Sequence, residues 1–122
     1  MKSAAQPDRT ATSESPVPRE LVEALDLLWA RFLPDIRQRT DLLGAAAQAC
    51  ASSRLSTSQR EAAHAAAHKL AGTLGTFSLP RGTVLARELE LAFSSQIPPE
   101  PALAGRLASI AAELRTIIDS RK

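Results

Sequence analysis

Two histidines, His64 and His68, lie four residues apart and are the only ones in the chain. Imidazole titrates near 6.5 in water, so a solvated ring is largely neutral at cellular pH (about 6.5 being the ordinary value). One ring nitrogen then has a lone pair free to attack phosphorus. The other can give its N–H to a carboxylate, which fixes the tautomer and stabilises the charge that develops. On a helix turning about 100° per residue, Glu61, His64, Ala65, His68, Gly72 and Gly75 share one side, while Ala63, Ala67, Leu70 and Leu74 turn toward a core. Each glycine within a helix costs roughly 1 kcal/mol relative to alanine. Missing side chains are therefore wanted at Gly72 and Gly75, either for close approach of another molecule to the imidazole or for close packing of two helices. The spacing alone does not choose between these.

Histidines at i and i+4 also have a metal-binding spacing. The zinc-protease pattern requires glutamate directly after the first histidine, and residue 65 is alanine. No Cys, Asp or third His is placed to complete a set, so no metal ligands are assigned and His64 reads as a surface neighbour of His68. A helical metal-dependent hydrolase using both histidines remains the competing reading from the enzyme class, and metal analysis of the purified protein tests it.

The elements that must position these residues are helical. Few aromatics (3%, no tyrosine) and abundant alanine favour helix over sheet. Residues 1–17, rich in Ser, Thr, Ala and Pro, read as a disordered tail or linker. Pro18 suits the first turn of a helix. Leu21, Leu25, Leu28, Phe32, Ile36, Leu43, Ala47 and Cys50 then form one apolar stripe, with a kink or short break expected at Pro34. Trp29 and Phe32 suit core or bundle-end packing. Ser58 and Glu61 match a capping box that opens a second helix running to about Phe77. A third begins at Ser78-Leu79-Pro80, carries Leu85, Leu89, Ala92 and Phe93, and is closed by Ile97-Pro98-Pro99. A fourth carries Leu103, Leu107, Ile110, Leu114, Ile117 and Ile118. Short connections make neighbours antiparallel. The expected fold is all-α: an up-down-up-down four-helix bundle over residues 18–122, with a kinked first helix and a flexible N-terminal tail.

Composition narrows the function. At 122 residues, one domain is the default, and the chain is long enough to bury a core without staples. A net charge of +2, with no dense Lys/Arg block and no interleaved aromatics, argues against nucleic acid. The single cysteine, Cys50, allows no intrachain disulfide. The first residues lack a signal-peptide core, and no stretch is apolar for long enough to span a bilayer, so a cytoplasmic protein without membrane contact is expected. No glycine-rich phosphate loop or catalytic Asp/Asn set suggests a kinase, and the chain is read as a carrier rather than an enzyme.

The run from His68 through Lys69, Leu70, Ala71, Gly72, Thr73, Leu74, Gly75 and Thr76 to Phe77, followed by Leu79-Pro80 and Leu89-Glu90, resembles the histidine phosphotransfer (Hpt) family. The hallmark is H-x-L-K-G, a glycine three residues on, and a distal L-E on the next helix. The resemblance covers about residues 20–120 and is most specific over 66–93. It implies that His68 is the phosphoacceptor, through Nε2. It implies that Glu90 orients the imidazole through Nδ1–H and places Arg87 where it stabilises the phosphoryl group. Docking of a receiver domain is implied for a face comprising His64, Lys69, Ala71, Gly72 and Gly75. No intrinsic cofactor is implied, and Mg²⁺ comes with the partner. The implied partners are a response-regulator receiver domain and a hybrid histidine kinase; the biochemical role is exchange of a phosphoryl group in a two-component phosphorelay. Two positions depart from the pattern: the frequent lysine three residues after the histidine is Ala71, and a frequent glycine ten residues after it is Ser78. The missing lysine keeps open an Hpt-like module that docks receivers without transfer.

Overall fold

The structure, a computed structural model, describes residues 18–121. The tail expected over residues 1–17 lies outside them. Four α-helices follow one another: α1 (Arg19–Ala51), α2 (Thr57–Thr76), α3 (Pro80–Ala92) and, after a 3₁₀ turn at Pro101–Leu103, α4 (Ala104–Ser120). Each helix packs on its two neighbours around a ring, α1 on α2 and α4, α3 on α2 and α4. Surface ion pairs record the direction of the chain. Arg37–Asp119 and Asp41–Arg115 join α1 to α4, and Arg81–Glu113 and Glu88–Arg106 join α3 to α4, each set in antiparallel order. Arg81 bonds the Glu113 carboxylate and holds it below its ordinary pKa. Such exposed pairs add little stability individually.

The core is one leucine-, isoleucine- and alanine-rich cluster. Leu43, Leu70, Leu74, Leu85, Leu89, Phe93, Ile110 and Leu114 are essentially sealed within it. Alanines at 63, 66, 67 and 71 let α2 approach its neighbours closely. Gly82 serves the same end on α3: a Cβ there would lie 2.9 Å from Leu74 Cδ1. Buried Arg60 donates from Nη1 to the Phe93 carbonyl at 2.7 Å, satisfying an acceptor at the C-terminal end of α3. Cys50 is also buried; its Sγ donates to the Pro99 carbonyl at 3.3 Å, and burial pushes the thiol pKa up.

Several boundaries differ from the sequence expectation. Of the kink or short break expected at Pro34, the break is absent: α1 continues through Pro34 as one helix, although proline cannot donate to the Ala30 carbonyl one turn earlier, a loss consistent with a kink there. Its first turns are not inward: Leu21, Leu28 and Phe32 are 49%, 39% and 42% exposed. The reason is length. Trp29 already meets Phe77 at the C-terminal end of α2, edge to face at 5.1 Å, so Leu21 and Leu28 before it reach past that end, while Phe32 lies edge to face against the same ring at 6.4 Å with its outer side exposed. Helix α2 is capped by Ser56, not Ser58: the Ser56 hydroxyl accepts from Gln59 N–H at 3.0 Å. Helix α3 stops at Ala92, before the prolines, and Ile97 is exposed. Leu103 sits in the 3₁₀ turn, half-exposed, rather than in the α4 stripe.

Ser78 explains a departure noted above. It has φ 58°, a left-handed conformation between α2 and α3 that favours glycine. Ser78→Gly is therefore expected to stabilise the fold by about 1 kcal/mol, read as a raised midpoint in urea unfolding with an unchanged slope.

Candidate functional site

Helix α2 is amphipathic in an unusual way. Its inner face is built from alanine and leucine, and its outer face is low, with Ala62, Ala65 and Gly72 between taller side chains. His68 stands on that outer face, and its side chain is 70% exposed. The antiparallel packing of α3 brings Glu90 level with it. His68 Nδ1 lies 2.7 Å from Glu90 Oε2. A carboxylate can only accept, so Nδ1 carries the proton of this bond, and in the neutral ring Nε2 keeps its lone pair. Glu90 itself is only 20% exposed, so its orientation is fixed by packing on α3. The same Oε2 lies 4.0 Å from His64 Nε2, one turn earlier on α2.

The glycines now separate. A Cβ on Gly72 would meet nothing within 4 Å, so no neighbouring helix requires glycine there. One on Gly75 would make ordinary contact with Thr83 Oγ1 at 3.6 Å. Of the two uses open at the sequence level, helix packing is excluded for Gly72; helix packing uses Gly82 instead. Gly72, Lys69, Thr73 and Thr76 line a shallow depression directly beside His68.

Lys69 is exposed and lines both depressions that His68 lines, despite the angular offset between successive helix positions. Arg87 is exposed on α3, one turn before Glu90, and has no ion-pair partner among the described residues: Glu88 pairs with Arg106 and Glu90 with His68. It lines neither depression beside the imidazole. Ala71 must be corrected as a docking residue. It is 2% exposed, facing the α2–α3 seam, where Thr83 Oγ1 donates to its carbonyl at 3.5 Å. Three residues beyond His68, the helix has turned it from the open flank to the seam. Arg39, on α1, was not singled out by the sequence, yet it lines the second depression together with His64, Ala65, His68, Lys69 and Glu90. Among the described residues no group of three or more His, Cys, Asp or Glu side chains is placed to hold a metal ion, and no helix is long and apolar enough to cross a membrane.

A four-helix bundle with an exposed, carboxylate-held histidine at the middle of its second helix defines a class of signalling module. The family model for the Hpt domain matches residues 27–120, and the chain belongs to the Hpt domain family. No curated protein and no solved structure gives a significant match. The family is one of histidine phosphotransfer in phosphorelays, with response-regulator receiver domains as its general partners; its members are phosphocarriers rather than kinases.

Proposed function

We propose that this chain carries a phosphoryl group on His68 Nε2, exchanging it with the phosphorylated aspartate of a response-regulator receiver domain in the cytoplasm. The observation that carries the reading is the 2.7 Å bond from Nδ1 to Glu90 on a ring whose side chain is 70% exposed. In the forward step the Nε2 lone pair attacks phosphorus in line with the scissile bond. The bond from phosphorus to the aspartyl oxygen breaks, and the carboxylate leaves with the electron pair. Nδ1 keeps its proton, so the ring gains positive charge, which Glu90 offsets across a short, charge-assisted hydrogen bond. The receiver supplies Mg²⁺ and the acidic pocket that holds it; this chain supplies the nucleophile and its orientation, as expected for a reaction dominated by positioning and charge neutralisation. Gly72 leaves backbone where the receiver presses in, with His64, Lys69 and Gly75 around it. Arg87, without an ion-pair partner among the described residues, is available on α3 to the phosphoryl oxygens in the docked complex. A hybrid histidine kinase is the proposed upstream source.

A second reading, a module that docks receivers without transfer, is favoured by one observation: position 71 offers a buried methyl where the family frequently has lysine. Incubation with phosphorylated receiver domains and Mg²⁺ separates the two. Transfer gives an acid-labile, base-stable label that mass spectrometry maps to His68. A stable complex with no label establishes the docking module instead.

A further inference from the structure

Position 71, turned into the α2–α3 seam, brings no positive charge to the His68 flank, but a cation from another helix borders that flank. We propose that Arg39, on α1, is a phosphoryl-binding residue, its terminal nitrogens engaging the oxygens of the group carried on His68. The proposal rests on the carrier reading above and adds a residue from a different helix to it.

Three observations support it. First, Arg39 shares a depression with His64, His68, Lys69 and Glu90, although it lies 29 positions before His68 in sequence. Antiparallel packing of α1 on α2 makes this proximity. Second, the guanidinium is held along one edge only. Its Nε donates to Asp35 Oδ2 at 2.8 Å, an i, i+4 bond within α1, and its Nη groups have no acceptor within the described residues. A planar fork anchored at Nε presents its remaining N–H groups in a fixed direction, which is the geometry that suits bidentate recognition of phosphate oxygens. Third, the side chain is only 29% exposed, so its stem is packed between α1 and α2 and less freedom is lost when an anion arrives. On its other side Arg39 borders a separate depression with Asp35 and Gln38, so Asp35 lies away from the imidazole and does not line the depression that would take the phosphoryl group. The charged groups facing this depression are thus Arg39 and Lys69 as cations, Glu90 as the anion committed to Nδ1, and the two imidazoles. Lys69 is a point charge on a flexible stem; Arg39 is the preorganised one.

Phosphoramidate, a small phosphodonor, tests this without a receiver. Purified wild type, Arg39→Ala, Arg39→Lys and Asp35→Asn are labelled with it, and the rate of phosphohistidine formation is followed by ³¹P NMR, with a melting curve recorded for each. Arg39→Ala is expected to label about tenfold more slowly, the loss of one charge-assisted hydrogen bond at a partly exposed site. Arg39→Lys should recover part of that rate, and Asp35→Asn, which frees the anchored edge, should fall between. The ³¹P resonance of the product should also shift in Arg39→Ala. Equal rates and an unshifted resonance in folded Arg39→Ala overturn the proposal, as does a loss that tracks the melting temperature across all three variants. Absence of label on wild type sinks the carrier reading itself, and this inference with it.

Discussion

Replacing His68 by glutamine is expected to abolish phosphoryl labelling completely while leaving the fold intact. The effect is all-or-none because no other side chain in the depression combines a lone pair with a carboxylate holding its opposite nitrogen. His64 is the nearest alternative, but its Nε2 lies 4.0 Å from Glu90, half again the His68 distance. Stability should change by no more than about 0.5 kcal/mol, as for other solvent-facing substitutions. The His68 side chain is 70% exposed, and Glu90 keeps a polar neighbour in the glutamine. The assay is transfer from a phosphorylated receiver, run beside thermal unfolding by circular dichroism. Residual label at His64, with wild-type kinetics, would show that the nucleophile has been misassigned.

Gly72→Gln should part function from stability in the opposite direction. The new side chain enters open space, so nothing in the bundle is displaced. Removing a mid-helix glycine should stabilise the protein by about 0.5–1 kcal/mol. Transfer from the receiver should nevertheless fall on the order of a hundredfold, since a side chain one turn from His68 lifts the partner away by an ångström or more, a displacement that costs this much in a reaction governed by alignment. Labelling by phosphoramidate, which needs no docking surface, should fall far less. If receiver-dependent transfer survives in the substituted protein, Gly72 has no part in docking. Gly82→Ala provides the contrast: its methyl would crowd Leu74, so it should gain none of the stability that Gly72→Gln gains.

How far the sequence carries can be judged from these same residues. The inner and outer faces of α2 follow from period alone, because Leu70 and Leu74 repeat with alanines at 63 and 67 and all four are sealed. The match of Leu89-Glu90 to the family pattern placed Glu90 opposite His68, and the bundle puts its carboxylate on Nδ1. What misled was local. Ser56 and Ser58 both precede a plausible third partner, and only cap geometry distinguishes Gln59 from Glu61. The stripe at the start of α1 has the correct period, yet Leu21, Leu28 and Phe32 are only partly covered, and periodicity does not reveal how far a face is covered. Arg39 was invisible for a different reason: its relation to His68 depends on the packing of two helices, and no short motif encodes it. Ala71 shows that a family position can be matched in register while the side chain there turns into a seam.

The low outer face of α2 has one more consequence. With alanine and glycine along the helix beside it and only shallow, open depressions next to it, the imidazole stands 70% exposed rather than enclosed at the bottom of a cleft. A projecting group needs a receptacle, so shape selectivity must reside largely in whatever encloses it. An open group of this kind can be enclosed by more than one receptacle, which is the economy expected of a molecule that must hand its cargo from one host to the next.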